Sequence, residues 1–150
     1  MGAVTWQAPS ALTAYFTTEL NSLADSTSDT TGFSAVGAEI ANATSLNRFL
    51  ALELVIAAQG AARTAGGFVA VYINYAADGT TYDDTTNKAF SEMIAYFPLD
   101  AATTARRLTR TGISIPPVDF KLLVLNDTGQ ALAATSNTLK YITYNETVAA

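Results

Sequence analysis

Between Leu46 and Ile56 the chain alternates. Leu46, Arg48, Leu50, Leu52, Leu54 and Ile56 share one parity, and Asn47, Ala51, Glu53 and, further on, Gln59 share the other. Successive side chains of a strand point to opposite faces, so this period of two predicts a strand with one buried face. Gly66-Gly67 leads into FVAVYINY, where Val69, Val71, Ile73 and Tyr75 form a second such face before Asp78-Gly79 supplies a hairpin-type turn. Further strand-like runs cover Ala89 to Phe97, Leu108 to Ile115, Phe120 to Leu125 and Leu139 to Thr147, with shorter ones at Ala3 to Trp6 and Phe33 to Ile40. One stretch changes period: after Pro9-Ser10, the residues Leu12, Phe16, Leu20 and Leu23 recur at helical spacing. Proline suits a first helical turn, where no amide hydrogen is needed, so a short amphipathic helix is predicted there. The turn formers DSTSDTTG, Asp25 to Gly32, end it.

Short strands, frequent turn signals and no alternating helices predict an all-β fold. The expectation is an antiparallel β-sandwich, jelly-roll-like, with about eight strands and one short N-terminal helix within about residues 1–25. Pro116-Pro117 cannot sit in a central ladder and marks a corner where the chain passes between sheets. Ala89 to Phe97 and Leu139 to Thr147 carry apolar or aromatic residues on both parities, Leu139, Tyr141, Ile142 and Tyr144 among them. A lone sandwich would expose one of those faces, which implies contact with another subunit or partner there. Phe120 to Leu125 and Leu139 to Thr147 are joined by NDTGQALAATSN, far longer than the roughly two to five residues of a tight hairpin. Its residues are small or polar, with no strong nucleophile, base or ligand, and long ordered loops tend to be functional. Contact with a neighbouring subunit is the expectation for it.

Composition narrows the chemistry. The chain has 150 residues, no cysteine and no histidine. Disulfides, thiolate nucleophiles, imidazole bases and the usual zinc, haem and iron-sulfur ligand sets are therefore excluded. One domain over residues 1–150 is expected. Charged residues make up 14% and hydrophobic ones 49%, with a formal charge of -5, which argues against disorder and against general nucleic-acid binding. No run approaches the roughly eighteen apolar residues of a membrane helix, and the first residues, MGAVTWQAPS, lack a basic and an apolar region. Trp6 stands where a myristoylation motif would need Ser or Thr, so neither a lipid anchor nor a membrane partner is expected.

Four groups of residues invite a chemical reading. Asp78, Asp83 and Asp84 resemble a calcium loop, but without alternating ligands and a distal glutamate they read as a solvated turn, and no metal or other cofactor is expected. Glu53 and Glu92 are candidates for the carboxylate pair of a hydrolase; as solvated strand residues they argue against an enzyme. Tyr72, Tyr75 and Tyr82 are candidates for a sugar-stacking platform, although strand spacing splits them between faces. Arg106, Arg107 and Arg110 form the basic cluster of an acidic chain, with Arg107 and Arg110 on opposite faces of one strand. They read either as salt bridges to a neighbouring subunit or as a polar edge that discourages strand pairing. Together with Tyr141 and Tyr144 they are the candidate contact residues.

The corner and strand ISIPPVDFKLLVLNDTG followed by QALAATSNTLKYITYNE resembles segments of small structural proteins of tailed bacteriophages, and TELNSLA (Thr18 to Ala24) and NRFLALELVIA (Asn47 to Ala57) are similar to that group too. The resemblance implies a head decoration or cement protein on the outside of an icosahedral capsid. It further implies a β-sandwich or barrel made in the host cytoplasm and assembled as a dimer or trimer, with the major capsid protein and its own copies as partners. Tail, baseplate and head-tail joining proteins share this composition and are the first alternative. A carbohydrate-binding module for host adhesion is the alternative of another class.

Overall fold

A computed structural model of the chain describes residues 4–26 and 33–148. Most of the turn-forming run between Asp25 and Gly32 lies outside the described residues, as do Met1, Gly2 and Ala3. The strands in chain order are β1 (Val4–Trp6), β2 (Thr13–Phe16), β3 (Ala35–Ile40), β4 (Phe49–Ile56), β5 (Phe68–Ala76), β6 (Glu92–Pro98), β7 (Arg106–Ser114), β8 (Asp119–Asp127), β9 (Thr138–Tyr144) and β10 (Glu146–Val148). A single helical turn, α1 (Asn42–Ser45), and a 3-10 turn at Lys88–Phe90 complete the elements. The chain is all-β, with ten strands among the described residues where about eight were expected. The additions are β2 and the separation of β10 from β9.

Two four-stranded antiparallel sheets run in the orders β2-β9-β4-β7 and β3-β8-β5-β6, and β1 pairs with β10 in a short ribbon. The first is called here the β4 sheet and the second the β5 sheet. One core joins them: Phe16, Leu50, Leu52, Leu54, Ile56 and Leu139 from the β4 sheet meet Val69, Val71, Ile73, Phe97, Phe120, Leu122 and Val124 from the β5 sheet. The alternation in β4 is read directly by this core. Each of its four inward side chains is worth about 1.5–3 kcal/mol of burial, an upper bound because unfolded chains are already partly collapsed. The corner at Pro116-Pro117 connects β7 in one sheet to β8 in the other. It is clamped by the buried Asn42, whose Nδ2 donates to the carbonyls of Pro116 at 2.8 Å and Asn47 at 2.9 Å.

The helix expected after Pro9 is corrected to strand β2 followed by turns. Thr13, Tyr15, Thr17 and Thr18 favour extended backbone, and the Glu19 carboxylate accepts the Thr17 and Thr18 amides, which a helix would engage differently. Phe16, Leu20 and Leu23 are nonetheless buried, so their spacing marked core positions and misidentified the geometry. Tyr15 bridges the sheets at this edge: its hydroxyl donates to the Ala38 carbonyl and accepts the Leu122 amide at 2.9 Å. Its ring fills the space above Gly37 that any side chain would occupy.

The long loop between β8 and β9 is anchored at its base on its own chain, with Ala131, Ala134, Thr135 and Ser136 left exposed. Asn126, Thr128 and Asn137 are fully buried, and Leu132 nearly so. Asn137 Nδ2 donates to the Ala133 and Leu20 carbonyls, and its Oδ1 accepts the Ala57 amide at 3.0 Å. Asn126 Nδ2 donates to the carbonyls of Leu23 and Gln130, and Leu132 and Ser22 exchange backbone bonds with Leu23 and Ala133. The polar residues of this loop are internal partners for the turns after β2, where no strand ladder is available.

Candidate interaction faces

The outer face of the β4 sheet is built from the second parity of β4. Phe49, Ala51, Glu53 and Val55 stand opposite Tyr144, Ile142, Lys140 and Thr138 of β9. The pairing creates an apolar end and a charged end. At the apolar end Phe49 stacks on Tyr144 with centroids 5.5 Å apart, and Trp6, carried over this face by the β1–β10 ribbon, meets both rings edge-on at 5.5 and 5.6 Å. Trp6 remains 65% exposed. Beside it lies a shallow groove of about 240 Å³ lined by Trp6, Gln7, Pro9, Ala51, Ile142 and Tyr144. A β-bulge helps hold the aromatic end: Thr111 and Gly112 together oppose Ala51, Gly112 adopts a φ of 72°, and its amide donates to the Tyr144 hydroxyl at 2.9 Å.

At the charged end Glu53 sits between Arg107 at 3.8 Å and Lys140 at 3.9 Å. These are loose, solvent-facing pairs of the kind worth about 1 kcal/mol or less. The arginine cluster splits as strand parity requires, with Arg107 pointing outward and its neighbours engaged within the fold. Arg106 pairs with Asp100, which also accepts from Arg63 at 3.1 Å. Arg63 has no exposed side-chain surface and donates further to Gln59 and to the Thr104 carbonyl. Bonding to the Arg106 guanidinium, helped by Arg63, holds the Asp100 carboxyl below its ordinary range. Arg110 donates from Nε to the Tyr96 carbonyl at 3.0 Å and lies 5.3 Å from the Phe97 ring centre. It ties edge strand β7 to edge strand β6 and occupies an edge carbonyl that another strand would seek.

The two candidate tyrosines of β9 separate in the same way. Tyr144 belongs to the outer face, whereas Tyr141 shares the parity of buried Leu139, packs against the core and meets Tyr15 edge-on at 5.9 Å. The outer face of the β5 sheet is apolar as well: Tyr72 packs on Phe33, Phe68 on Tyr96, and Val36, Met93 and Tyr96 are exposed. Tyr75 points the other way, into an open cleft of about 780 Å³ lined by Leu46, Arg48, Tyr75, Glu92, Pro116 and Pro117. There its hydroxyl donates to Glu92 at 3.3 Å, and burial followed by the Glu92 charge pushes the phenol up. Tyr82 bonds to Glu39 and lies under Lys121, whose Nζ is 3.9 Å from the ring centre. The three tyrosines therefore form no common platform. Glu53 and Glu92 likewise stand on different sheets and are not brought together as a pair.

Asp78 and Asp84 spend their carboxylates on their own turn. Asp78 accepts the Thr80 and Thr81 amides and Asp84 the Thr86 amide, and among the described residues no three acidic side chains gather around a common point. No helix among the described residues is long and apolar enough to cross a membrane. Trp6, Phe49 and Val55 were missed as surface residues by the sequence reading. The signal was present in β4, where Phe49, Ala51 and Val55 make the nominally polar parity largely apolar. Comparison with protein-family models and with curated proteins finds no match to this chain.

Proposed function

We propose that the chain is a structural virion protein, a jelly-roll decoration or cement protein bound to the outer surface of a phage head. One observation carries this reading: the eight strands β2 to β9 pair as a single antiparallel ribbon rolled up on itself. Counted from its ends, β2 pairs with β9, β3 with β8, β4 with β7 and β5 with β6, and the roll closes by pairing β4 with β9 and β5 with β8. That order supports a jelly roll, an architecture widely used in capsid proteins. The outer faces of both sheets carry exposed apolar side chains, as a building block that works through contact area requires. The likeness of the Ile113–Glu146 segment to phage structural proteins adds the virion context.

In this role the partners are the major capsid protein and further copies of the chain, with neither nucleic acid nor membrane involved. Many individually weak contacts on a rigid lattice act together, and a ligand that binds only the assembled shell raises its stability. The carbohydrate-binding reading is less well supported, because Tyr72, Tyr75 and Tyr82 diverge. Heads assembled with and without the protein are expected to differ in rupture temperature, with copies bound only to the former. Equal rupture temperatures and no bound copies would remove the role, and an image of the particle separates a head location from the tail or baseplate alternative.

A further inference from the structure

We infer that the outer face of the β4 sheet is the surface that grips the shell, and that it takes an acidic protein surface presenting an apolar side chain to the groove beside Trp6. The assignment rests on the proposed decoration role and specifies its contact.

The face combines a fixed anchor with loosely paired positive charge, Arg107 and Lys140 sharing Glu53. Trp6 is held edge-on by Phe49 and Tyr144 yet largely exposed, so its orientation is set before a partner arrives and little side-chain entropy remains to be lost. The groove at its side has room for one or two apolar side chains. Arg107 is 69% exposed, with its acidic neighbour Glu53 at 3.8 Å. That separation leaves the guanidinium group able to accept a closer, two-pronged carboxylate.

Charge is also segregated between the sheets. Five of the chain's eight basic residues, Arg48, Arg106, Arg107, Arg110 and Lys140, lie in or beside the strands of the β4 sheet, against Glu53 within it and Asp100 and Glu146 beside it. The β5 sheet and its β5–β6 loop carry seven carboxylates against Lys88 and Lys121. A molecule so polarised turns its β4 face toward an acidic partner and its β5 face away, and complementary charge sets both orientation and encounter rate. The cations of this face, Arg107 and Lys140, are too few and too mixed with aromatic rings to follow a phosphate backbone, which requires several neutralised phosphates.

The test uses purified chain and heads lacking it. Hydroxyl-radical footprinting of the bound wild-type protein is expected to protect Trp6 and Tyr144 and to leave Met93 and Tyr96 reactive, a readout that needs no variant. In co-sedimentation, Trp6→Ala and Arg107→Glu are each expected to weaken binding about tenfold or more, whereas the remote charge reversal Lys88→Glu leaves it unchanged. Wild-type binding should weaken as salt rises from about 50 to about 200 mM. Unaltered binding by both face variants, or protection that falls on Met93 and Tyr96, overturns the assignment and leaves the decoration role standing. Absence of wild-type binding removes the role and the assignment together. Concentration-dependent growth of mass without heads, abolished by Arg107→Glu, overturns the assignment by giving this face to the acidic side of a second copy.

Discussion

Replacing Asn137 by alanine isolates the internal role of the long β8–β9 loop. The side chain is fully buried and makes two short contacts, from Nδ2 to the Ala133 carbonyl at 2.6 Å and from the Ala57 amide to Oδ1 at 3.0 Å. Its bond to the Leu20 carbonyl is stretched to 3.4 Å, and the Asn21 Oδ1 that it meets at 3.2 Å keeps the Asn137 backbone amide as a partner. The Ala57 amide thus loses its partner while the Ala133 carbonyl keeps the Ser22 amide, so an overall cost of about 1–3 kcal/mol is expected. For a domain of this size each kcal/mol shifts the melting temperature by about 2–4 °C, giving a fall of about 2–12 °C. Urea denaturation with a constant slope measures the cost, and thermal melting checks it. A loss below about 1 kcal/mol would refute the reasoning. A loop that leaned on a neighbouring subunit would behave differently, losing oligomer mass on substitution while the melting temperature of the monomer held.

Arg63→Met leaves the Thr104 and Asp100 carbonyls and Gln59 without their buried donor, and equilibrium unfolding should register a loss of about 3 kcal/mol. Gly37→Ala forces a methyl group into the Tyr15 ring, and the bridge from Tyr15 to Ala38 and Leu122 with it; a destabilisation of about 1–3 kcal/mol is expected in the same assay, and a neutral outcome would contradict the packing. Asp100 and Asp84 have folded-state pKa values held down by Arg106 and by Thr86 respectively. Their contribution is therefore complete above the unfolded value of about 4 and fades as pH falls through the lower folded values. Unfolding measured between about pH 5 and about pH 3 should show a shallower loss for Asp100→Asn than for the wild type, and parallel curves would remove Asp100 from the account.

The legible parts of the fold were those in which burial follows a fixed period. β4, β5 and β8 keep their inward parities buried, and Leu50, Val71 and Leu122 stand where alternation puts them, although Ala70, Leu123 and Leu125 on the other parity are buried too. The segment from Pro9 to Leu23 was illegible because turns and a four-residue strand can bury residues at intervals of three and four. Phe16, Leu20 and Leu23 are in the core with only the isolated turn bonds from Asn21 to Thr18 and from Leu23 to Leu20 instead of a helical ladder. The internal anchoring of the β8–β9 loop was illegible for a related reason: asparagine and threonine are usually solvated, and nothing local marks Asn126 and Asn137 as the buried partners of turns more than a hundred residues away.

The candidate contact face was only half legible. Parity alone separated Arg107 from Arg110 and Tyr144 from Tyr141. Trp6 gave no signal, because its position depends on β1 pairing with β10 at the other end of the chain. The same long-range pairing places the aromatic cluster beside the charged end of β4, where Glu53 meets Arg107 and Lys140. A face assembled from strands distant in sequence is a property of the long-range antiparallel pairing, and single-strand patterns carry only its pieces.

The central claim is that this chain binds the outside of a head and strengthens it. Its most direct measurement is the rupture temperature of heads lacking the protein, before and after the purified chain is added back. A rise on addition, saturating with bound copies, is the outcome expected from a multivalent cement. An unchanged rupture temperature with the chain left in the supernatant would contradict the account.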